Sequence, residues 1–245
     1  MPSDDLSVHE AKREPVFLSV LLSGPSDGGK TYSALTIARG ISPKGTIVLI
    51  DTETKPATLY ADEFRFLRIA LKKPFTPERY REAVRLAKTK NPAIIIIDSV
   101  THEWNGSGGI LRELDDFQAK NPKAPQFLFW KNATPRHDRA VEAFTTPTCH
   151  MIVCCRGKER YAVEVEVDDN GRKKMVPKRI GLRPIQRKDF FFDFMISFVL
   201  DPGTHNARIL NNMTKTFRDW TPRPLVEADG KALLVWANLK AKAKS

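Results

Sequence analysis

Residues 24–31 have the sequence GPSDGGKT, which fits the pattern G-x-x-x-x-G-K-[ST]. An apolar run, PVFLSVLLS (15–23), precedes them, and the residues from Lys30 to Arg39 have a helix-compatible composition that Gly40 closes. A strand, a glycine-rich loop and a helix in this order predict a phosphate-binding loop, because the backbone N–H groups of the loop can wrap a phosphate at the positive end of the helix. The predicted nucleotide site comprises Gly24, Pro25, Ser26, Asp27, Gly28, Gly29, Lys30, Thr31 and Tyr32.

Three side chains near this loop are candidates for binding ATP and Mg²⁺. Lys30 is expected to reach the β- and γ-phosphates, and the Thr31 hydroxyl is expected to hold Mg²⁺. Asp98 ends the β-branched run AIIIID (93–98), where a carboxylate would lie beside the loop and hold the shell of the metal. A helix cap or a strand-end turn is the alternative role for Asp98.

Strand and helix patterns alternate along the chain. GTIVLID (45–51), RFLRIAL (65–71) and CHMIVCC (149–155) are predicted to be buried strands, and TPERYREAVRLAKTK (76–90) is predicted to be a helix with a Thr cap and a Pro at its first position. Such alternation predicts an α/β fold with a mostly parallel sheet and helices on both faces. Further helices are predicted at 110–118, 136–144 and within the basic C-terminal stretch 228–244, and late strands at 190–201 and 206–210.

The segment after residue 160 has a different pattern. YAVEVEV (161–167) alternates strictly, DDNG is a turn signal, and RKKMVPKRI (172–180) continues on the other side, which predicts a projecting β-hairpin at about 160–180. The chain is therefore expected to comprise a flexible polar arm (1–14), one core (15–212) and a C-terminal segment (213–245) with a basic helix.

Basic residues are concentrated in GRKKMVPKRIGLRPIQRK (171–188), which has eight of them and no acidic residue. Binding to the phosphate backbone of DNA is predicted for Arg172, Lys173, Lys174, Lys178 and Arg179. The alternative is a surface ribbon in which Glu164 and Glu166 pair with these cations across the hairpin.

The composition of the 245-residue chain agrees with a polyanionic partner, because 40 Lys and Arg against 29 Asp and Glu leave a net charge of +11. The longest apolar run, Ala93–Ile97, is too short to span a membrane and the N-terminal stretch is too polar for a signal peptide, so a cytoplasmic location is expected. Cys149, Cys154 and Cys155 are expected to be reduced thiols, because their spacing with His150 fits no structural zinc pattern.

Two strings narrow the class of phosphate-binding protein. VLIDTET (48–54) and IIIIDSV (94–100) resemble the core of RecA-type recombinases, in which an I-D-x-E stretch supplies the carboxylate that activates water and an apolar run ending D-S supplies the metal-binding aspartate. The resemblance implies that Glu53 is the general base, with Glu103 as the alternative base. It also implies that Arg156, at the end of the strand within 149–158, occupies the place of a γ-phosphate sensor, which is usually a glutamine.

A wider resemblance, to a bacteriophage family of small P-loop ATPases with a RecA-type core, covers roughly residues 16–240. It is based on DSVTHEW, TPRHDRAVEAF, CHMIVCCRGKERY, GLRPIQRKDFFFDF and MTKTF. The resemblance implies a doubly wound RecA-type fold and DNA-dependent ATP hydrolysis in phage recombination or single-strand annealing. It further implies single-stranded DNA as a partner, self-association in the bacterial host cytoplasm, and a single-strand-binding protein as a candidate partner.

Several alternatives are left open by the residues. Arg187, Lys215 and Arg218 are candidates for a cation that acts in trans on a neighbouring subunit. The chain departs from full recombinases, because residues 1–14 have no evident strand or aromatic anchor of the kind that links protomers into filaments. Two other functions fit the same loop: a regulatory or helicase-loader ATPase directed at a protein, and a nucleic-acid-binding module that uses ATP as a structural ligand.

Overall fold

The computed structural model describes residues 8, 10–167 and 173–239. Its strands are β1 (Ser19–Gly24), β2 (Ile47–Asp51), β3 (Leu67–Ala70), β4 (Ile94–Asp98), β5 (His150–Val167), β6 (Lys173–Pro184), β7 (Ile196–Leu200) and β8 (Ala207–Asn212). Its α-helices are α1 (Lys30–Ile41), α2 (Pro77–Lys88), α3 (Thr101–Asn105), α4 (Ile110–Lys120), α5 (Gln126–Thr145) and α6 (Glu227–Ala237). Short 3₁₀ helices lie at Ala57–Tyr60 and Phe190–Asp193.

The strands form one sheet in the order β3-β2-β4-β5-β1-β7-β8, and β6 pairs only with β5. The pairs among β1, β2, β3, β4, β5 and β7 are parallel, whereas β8 runs antiparallel to β7. The register places Gly24 beside Arg156 and Asp51 beside Asp98. Predicted site residues therefore lie together where the carboxyl ends of β1, β2, β4 and β5 meet.

Both faces of the sheet are covered. In β1, Val20 and Leu22 pack in a core with α1 and α6, whereas Leu21, which points to the other face, packs in a second core with α2 and α5. Strand β4 divides in the same way, since Ile96 belongs to the first core and Ile97 to the second. The predicted α/β architecture, a mostly parallel sheet with helices on both faces and a projecting hairpin, is confirmed.

Local signals explain where helix α2 begins. The Thr76 side chain accepts a hydrogen bond from the Arg79 amide at 3.4 Å, and Pro77 is the first helical residue. Such a cap satisfies one of the amides that have no partner within the helix. The predicted Thr cap of this helix is therefore present.

Some predicted elements differ from the structure. Strand β3 was expected to be buried, but it is the edge of the sheet and Leu67 is 48% exposed, because neighbours lie on one side only. The predicted strand 190–201 begins as a 3₁₀ helix and becomes strand only at Ile196. The helix predicted at 136–144 is the second half of α5, which begins ten residues earlier, at Gln126.

The first and last segments that the structure describes pack against each other. Arg13 donates to the carbonyl oxygen of Trp236 at 3.0 Å, and its guanidinium lies 4.4 Å from the centre of the Trp236 ring. Residues 1–7 and 9 of the predicted arm, and residues 240–245 of the predicted basic helix, lie outside the described residues. Within the described part, α6 ends at Ala237.

Candidate nucleotide-binding site

The loop between β1 and α1 has a backbone that its sequence explains. Gly29, the residue before α1, has a φ of 77°, a left-handed conformation that glycine adopts without strain. A Cβ atom on Gly28 would lie 3.0 Å from the carbonyl oxygen of Pro25, which accepts the Gly28 amide hydrogen bond at 3.1 Å. The two glycines thus allow a tight turn directly before the helix.

This turn leaves donors for an anion. Among the described residues, no acceptor pairs with the backbone N–H groups of Gly29, Lys30 or Thr31. These amides lie at the N-terminal end of a twelve-residue helix, where the helix dipole also favours negative charge. Lys30 is buried, and its ammonium folds back to donate to the Pro25 carbonyl at 2.7 Å. Unpaired amides and an ammonium in one turn fit a phosphate chain.

Thr31 and Asp98 form the second part of the site. The Thr31 hydroxyl donates a hydrogen bond to Oδ2 of Asp98, at the end of β4. Burial raises the pKa of Asp98 to about 6, although the Thr31 hydrogen bond and the nearby Lys30 charge oppose the rise. A hydroxyl and a buried carboxylate are hard oxygen ligands of the kind that Mg²⁺ prefers. The residues present therefore fit a magnesium ion bound beside a phosphate.

Glu53 lies in the loop after β2 and faces this pair. Its Oε1 accepts hydrogen bonds from the Ser99 hydroxyl and from Arg156 Nε, both at 3.0 Å, and Arg156 also binds Oε2. Burial favours a raised pKa for Glu53, but the hydrogen bonds and charge of Arg156 outweigh burial and hold the pKa below its usual value. Glu53 is thus a carboxylate at neutral pH, oriented from two sides.

These groups line one cavity of about 260 Å³. The predicted residues that line it are Ser26, Asp27, Gly29, Lys30, Thr31, Glu53, Asp98 and Arg156. The sequence prediction missed Thr54, Lys55, Pro56, Ala57, Leu59 and Tyr60, which complete the wall. Their position directly after Glu53 was the available signal, because a loop that presents a site residue usually contributes its neighbours as well.

Asp51 and Tyr32 support the cavity and do not line it. Asp51 is buried and accepts hydrogen bonds from the amides of Glu53 at 3.0 Å and Ala57 at 2.9 Å, and from Arg68 Nε at 2.8 Å. Its role is therefore to shape the loop that carries Glu53. The Tyr32 hydroxyl donates to Glu63 at 2.7 Å, and its ring packs edge-on against that of Tyr60, which lines the cavity.

Glu103, the alternative base, is not brought together with the loop. Its side chain is fully buried, with Oε1 3.0 Å from Nδ1 of His137 and Oε2 accepting from Nε2 of Gln186 at 3.0 Å. It does not line the cavity that contains Glu53 and Asp98. In this conformation the Glu103 carboxylate is enclosed by His137 and Gln186 and does not face solvent.

The hairpin has two different faces. On one face Glu166 lies opposite Lys174, and Lys178 forms an ion pair with Glu164 at 2.9 Å. Part of the alternative prediction, charge pairing across the hairpin, is therefore present. The other face carries Val163, Val165 and Met175, which are 66%, 60% and 75% exposed. Val165 and Met175 are cross-strand partners on this face.

The predicted DNA-binding residues are only partly described. Lys173, Lys174 and Lys178 are exposed on β6. Arg172 lies outside the described residues, and only the backbone of Arg179 is described, opposite Tyr161. The strands pair from Gly157 to Val167 and from Lys173 to Pro184, so the hairpin is longer than the predicted 160–180.

The candidate trans cation Arg187 is paired within the chain. It contacts Asp138 at 2.7 Å and Asp193 at 3.5 Å. Lys215 and Arg218 are exposed in the segment after β8. These contacts favour a role of Arg187 in holding its own chain together.

The cysteines have no exposed thiol. Cys149, Cys154 and Cys155 are free and buried, and His150 Nδ1 accepts a hydrogen bond from the Leu18 amide at 3.1 Å. No cluster of three metal-ligating side chains occurs in the described part of the chain. Within the same residues, no helix is long and apolar enough to cross a membrane.

No protein-family model matches the chain, and a search of curated proteins finds no significant match. Among solved structures, the chain is similar to the crystal structure of the RadB recombinase, with 16% sequence identity and a TM-score of 0.40 over 80% of this chain and 81% of that one. Similarity at this level is too low to transfer an activity.

Proposed function

We propose that this protein binds ATP with Mg²⁺ and hydrolyses it. The observation that carries the proposal is the meeting of four features in one cavity: a turn with unpaired amides, Lys30, the Thr31–Asp98 pair and Glu53. Each feature matches a need of phosphoryl transfer, which depends mainly on positioning and on stabilisation of charge.

The residues divide the work of binding. The amides of Gly29, Lys30 and Thr31 hold phosphate oxygens, and the Lys30 ammonium exchanges the Pro25 carbonyl for the terminal phosphates. Thr31 and Asp98 would hold the Mg²⁺ ion. When bound, the ion supplies positive charge that neutralises the phosphates.

Glu53 is the proposed general base. A water that attacks the γ-phosphate must lose a proton, and a carboxylate held in place is a suitable acceptor. Ser99 and Arg156 fix the Glu53 carboxylate from two sides, which limits its rotamers before substrate binds. Arg156 also lowers the basicity of Glu53, so movement of Arg156 away from Glu53 would make it a stronger base.

The polymer that the enzyme acts on is proposed to be DNA, in phage recombination or single-strand annealing. Lys173, Lys174 and Lys178 are exposed on a ribbon whose strand β5 also carries Arg156 at the edge of the cavity. Single-stranded DNA bound along this ribbon would thus contact the element that holds Glu53. Self-association, assistance by a single-strand-binding protein and a cation supplied in trans belong to the same proposal.

A second candidate function is a P-loop switch directed at a protein partner. It is favoured by the exposed apolar face of the hairpin, Val163, Val165 and Met175, since apolar patches on soluble proteins mark interaction sites. In that case the hairpin lysines would be dispensable for turnover.

The test is ATP hydrolysis with and without single-stranded DNA. Wild type, Glu53→Gln and a variant with Arg172, Lys173, Lys174, Lys178 and Arg179 changed to Ala are compared. Removal of the general base should lower turnover about 10²- to 10⁴-fold with nucleotide binding retained. The hairpin variant should keep basal turnover and lose stimulation by DNA.

The other outcomes separate the alternatives. Turnover that is indifferent to DNA and to the hairpin lysines favours the protein-directed switch. Tight ATP binding with undetectable turnover in wild type indicates a nucleic-acid-binding module that uses ATP as a structural ligand. Unchanged turnover in Glu53→Gln moves the base to Glu103.

A further inference from the structure

On the β5 side the hairpin continues a core strand, and on the β6 side it joins the core through three consecutive residues, Ile185, Gln186 and Arg187, here called the hairpin root. The Ile185 amide donates to the Arg156 carbonyl oxygen at 2.7 Å. Gln186 Nε2 donates to Glu103 Oε2 at 3.0 Å, and Arg187 pairs with Asp138 of α5 at 2.7 Å. The root is thus bonded to β5, α3 and α5 at once.

The centre of the root is buried. Glu103 is 0% exposed, His137 2% and Gln186 8%. Glu103 lies between the other two, 3.0 Å from each of them. A carboxylate in the interior depends on such partners, because without them it loses hydration and gains nothing in return. The Gln186 side chain is therefore part of what keeps α3 and the root together.

The same segments hold the Glu53 carboxylate. Ser99, just before α3, donates its hydroxyl to Glu53, and the Arg156 side chain donates from the other side. The Arg156 amide in turn donates to the Thr101 hydroxyl of α3 at 2.7 Å, and its carbonyl oxygen accepts from Ile185. Arg156 and the 99–103 segment therefore contact both Glu53 and the hairpin root.

We propose that Gln186 is a positioning residue that couples the hairpin to the nucleotide cavity. Its bond to Glu103 fixes the hairpin root against α3. Arg156 and the 99–103 segment contact both Glu53 and this root, so a change in the contacts of Glu53 changes how firmly the hairpin is held. By linkage, a partner bound to the hairpin changes nucleotide affinity by the same factor with which nucleotide changes affinity for the partner. This coupling rests on the proposed function, because it requires a nucleotide in the cavity.

Three variants isolate the Gln186–Glu103 bond. Gln186→Leu removes the amide at similar size. Gln126→Leu makes the same chemical change at an exposed position at the start of α5 and is the matched control. The double variant Glu103→Gln with Gln186→Glu exchanges the two ends and re-forms an amide–carboxylate bond, which tests whether the bond itself matters. If Gln186→Leu does not fold, the single variant Gln186→Glu, which removes the amide donor and sets two carboxyl groups against each other, is compared with the exchanged pair.

The readout is hydrogen exchange of the hairpin amides at 158–166, with and without ATP and Mg²⁺. In wild type, in Gln126→Leu and in the exchanged pair, nucleotide should change hairpin exchange by about fivefold or more, the lower end of typical coupling between sites. In Gln186→Leu the change should fall below about twofold. The amides of Gly29, Lys30 and Thr31 should be protected by nucleotide in every variant.

Protection of these loop amides separates the two proposals. A full hairpin response in Gln186→Leu overturns the coupling role, and so does a wild-type hairpin that does not respond although the loop amides are protected. Loop amides that ATP leaves unprotected in wild type contradict the proposed function, and with it the coupling.

Discussion

The candidate nucleotide site lies at the carboxyl ends of the parallel strands, a region here called the edge. This edge and the hairpin differ in what holds their charged side chains. At the edge, Asp98 is buried and bonded to Thr31, and Lys30 is buried against the loop carbonyl. On the hairpin, Lys173 and Lys174 are exposed and project from a ribbon that packs little against the core. Packing in the core holds the charged side chains of the edge in place, whereas those of the hairpin would be held only by a bound partner.

The edge and the hairpin should also differ in the free-energy cost of a substitution. Buried polar groups lose much when one partner is removed, whereas exposed ion pairs such as Lys178–Glu164 contribute about 0–1 kcal/mol. Substitutions at the edge should therefore change binding and folding strongly. Substitutions on the hairpin should change only the interaction with a partner.

The largest effect on ATP binding is expected for Lys30→Ala. Loss of the ammonium removes a charge-assisted contact to the terminal phosphates, which should weaken ATP binding by about 10²- to 10³-fold. Titration with a fluorescent ATP analogue measures this loss, and Lys44→Ala, an exposed lysine just before β2, is the control. Equal affinity in both variants would place the phosphates outside this loop.

The hairpin gives the second prediction. Changing Lys173, Lys174 and Lys178 to Ala should lower affinity for single-stranded DNA and reduce the magnitude of the slope of log affinity against log salt by about 2, since each lost phosphate contact removes about 0.7. ATP affinity should stay within about twofold, because these side chains are far less buried than those at the edge.

The matched control is a variant in which three lysines outside the hairpin are changed to Ala, so that the net charge falls by the same amount. Lys44, Lys90 and Lys231 are exposed and lie outside the hairpin. If their replacement by Ala reduces the salt slope equally, DNA responds to the net charge of the protein and not to the ribbon.

Glu103 sharpens the contrast between catalytic and structural carboxylates. Glu103→Gln leaves one acceptor oxygen where two face His137 Nδ1 and Gln186 Nε2, and should lower the free energy of unfolding by about 1–3 kcal/mol, measured by urea denaturation. The folded fraction should keep much more turnover than Glu53→Gln. The reverse order of the two activities would identify Glu103 as the base.

The smallest predicted effect is a change in pH dependence. In Arg156→Gln, Glu53 loses the partner that holds its pKa down while burial remains, so the pKa of Glu53 should rise. Because a base must be unprotonated to act, the acidic limb of the kcat profile should move to higher pH. A profile that coincides with wild type would show that Glu53 ionisation does not limit turnover.

The meeting of these strand ends could be predicted from the sequence because its signals are local. GPSDGGKT is one continuous motif, and the β-branched run ending in Asp98 marks a buried strand and its carboxyl end. Parallel pairing then requires these ends to meet. The positions of Lys30, Thr31, Asp98 and Glu53 at one cavity follow from a few residues each.

What could not be predicted depends on contacts between distant segments. No local pattern pairs Glu103 with Gln186, 83 residues later, or shows that Arg156 would bind Glu53, 103 residues earlier. The exposure of β3 likewise depends on its place in the strand order, which an apolar run alone does not reveal. The hairpin pattern was recognised, but the pairing continues past the predicted bounds of 160–180, to Gly157 and Pro184.

Strand β5 connects the sheet and the hairpin without a break. It runs without interruption from His150, inside the sheet, to Val167 on the ribbon. At about 3.3 Å per residue, the stretch from Gly157 to Val167 spans about 33 Å. Opposite Arg160 and Tyr161 the register shifts, because β6 has one extra residue between their partners Gly181 and Arg179, and a bulge of this kind bends a ribbon. A partner bound at the far end of the ribbon would therefore be joined to Arg156, at the cavity, by one continuous strand.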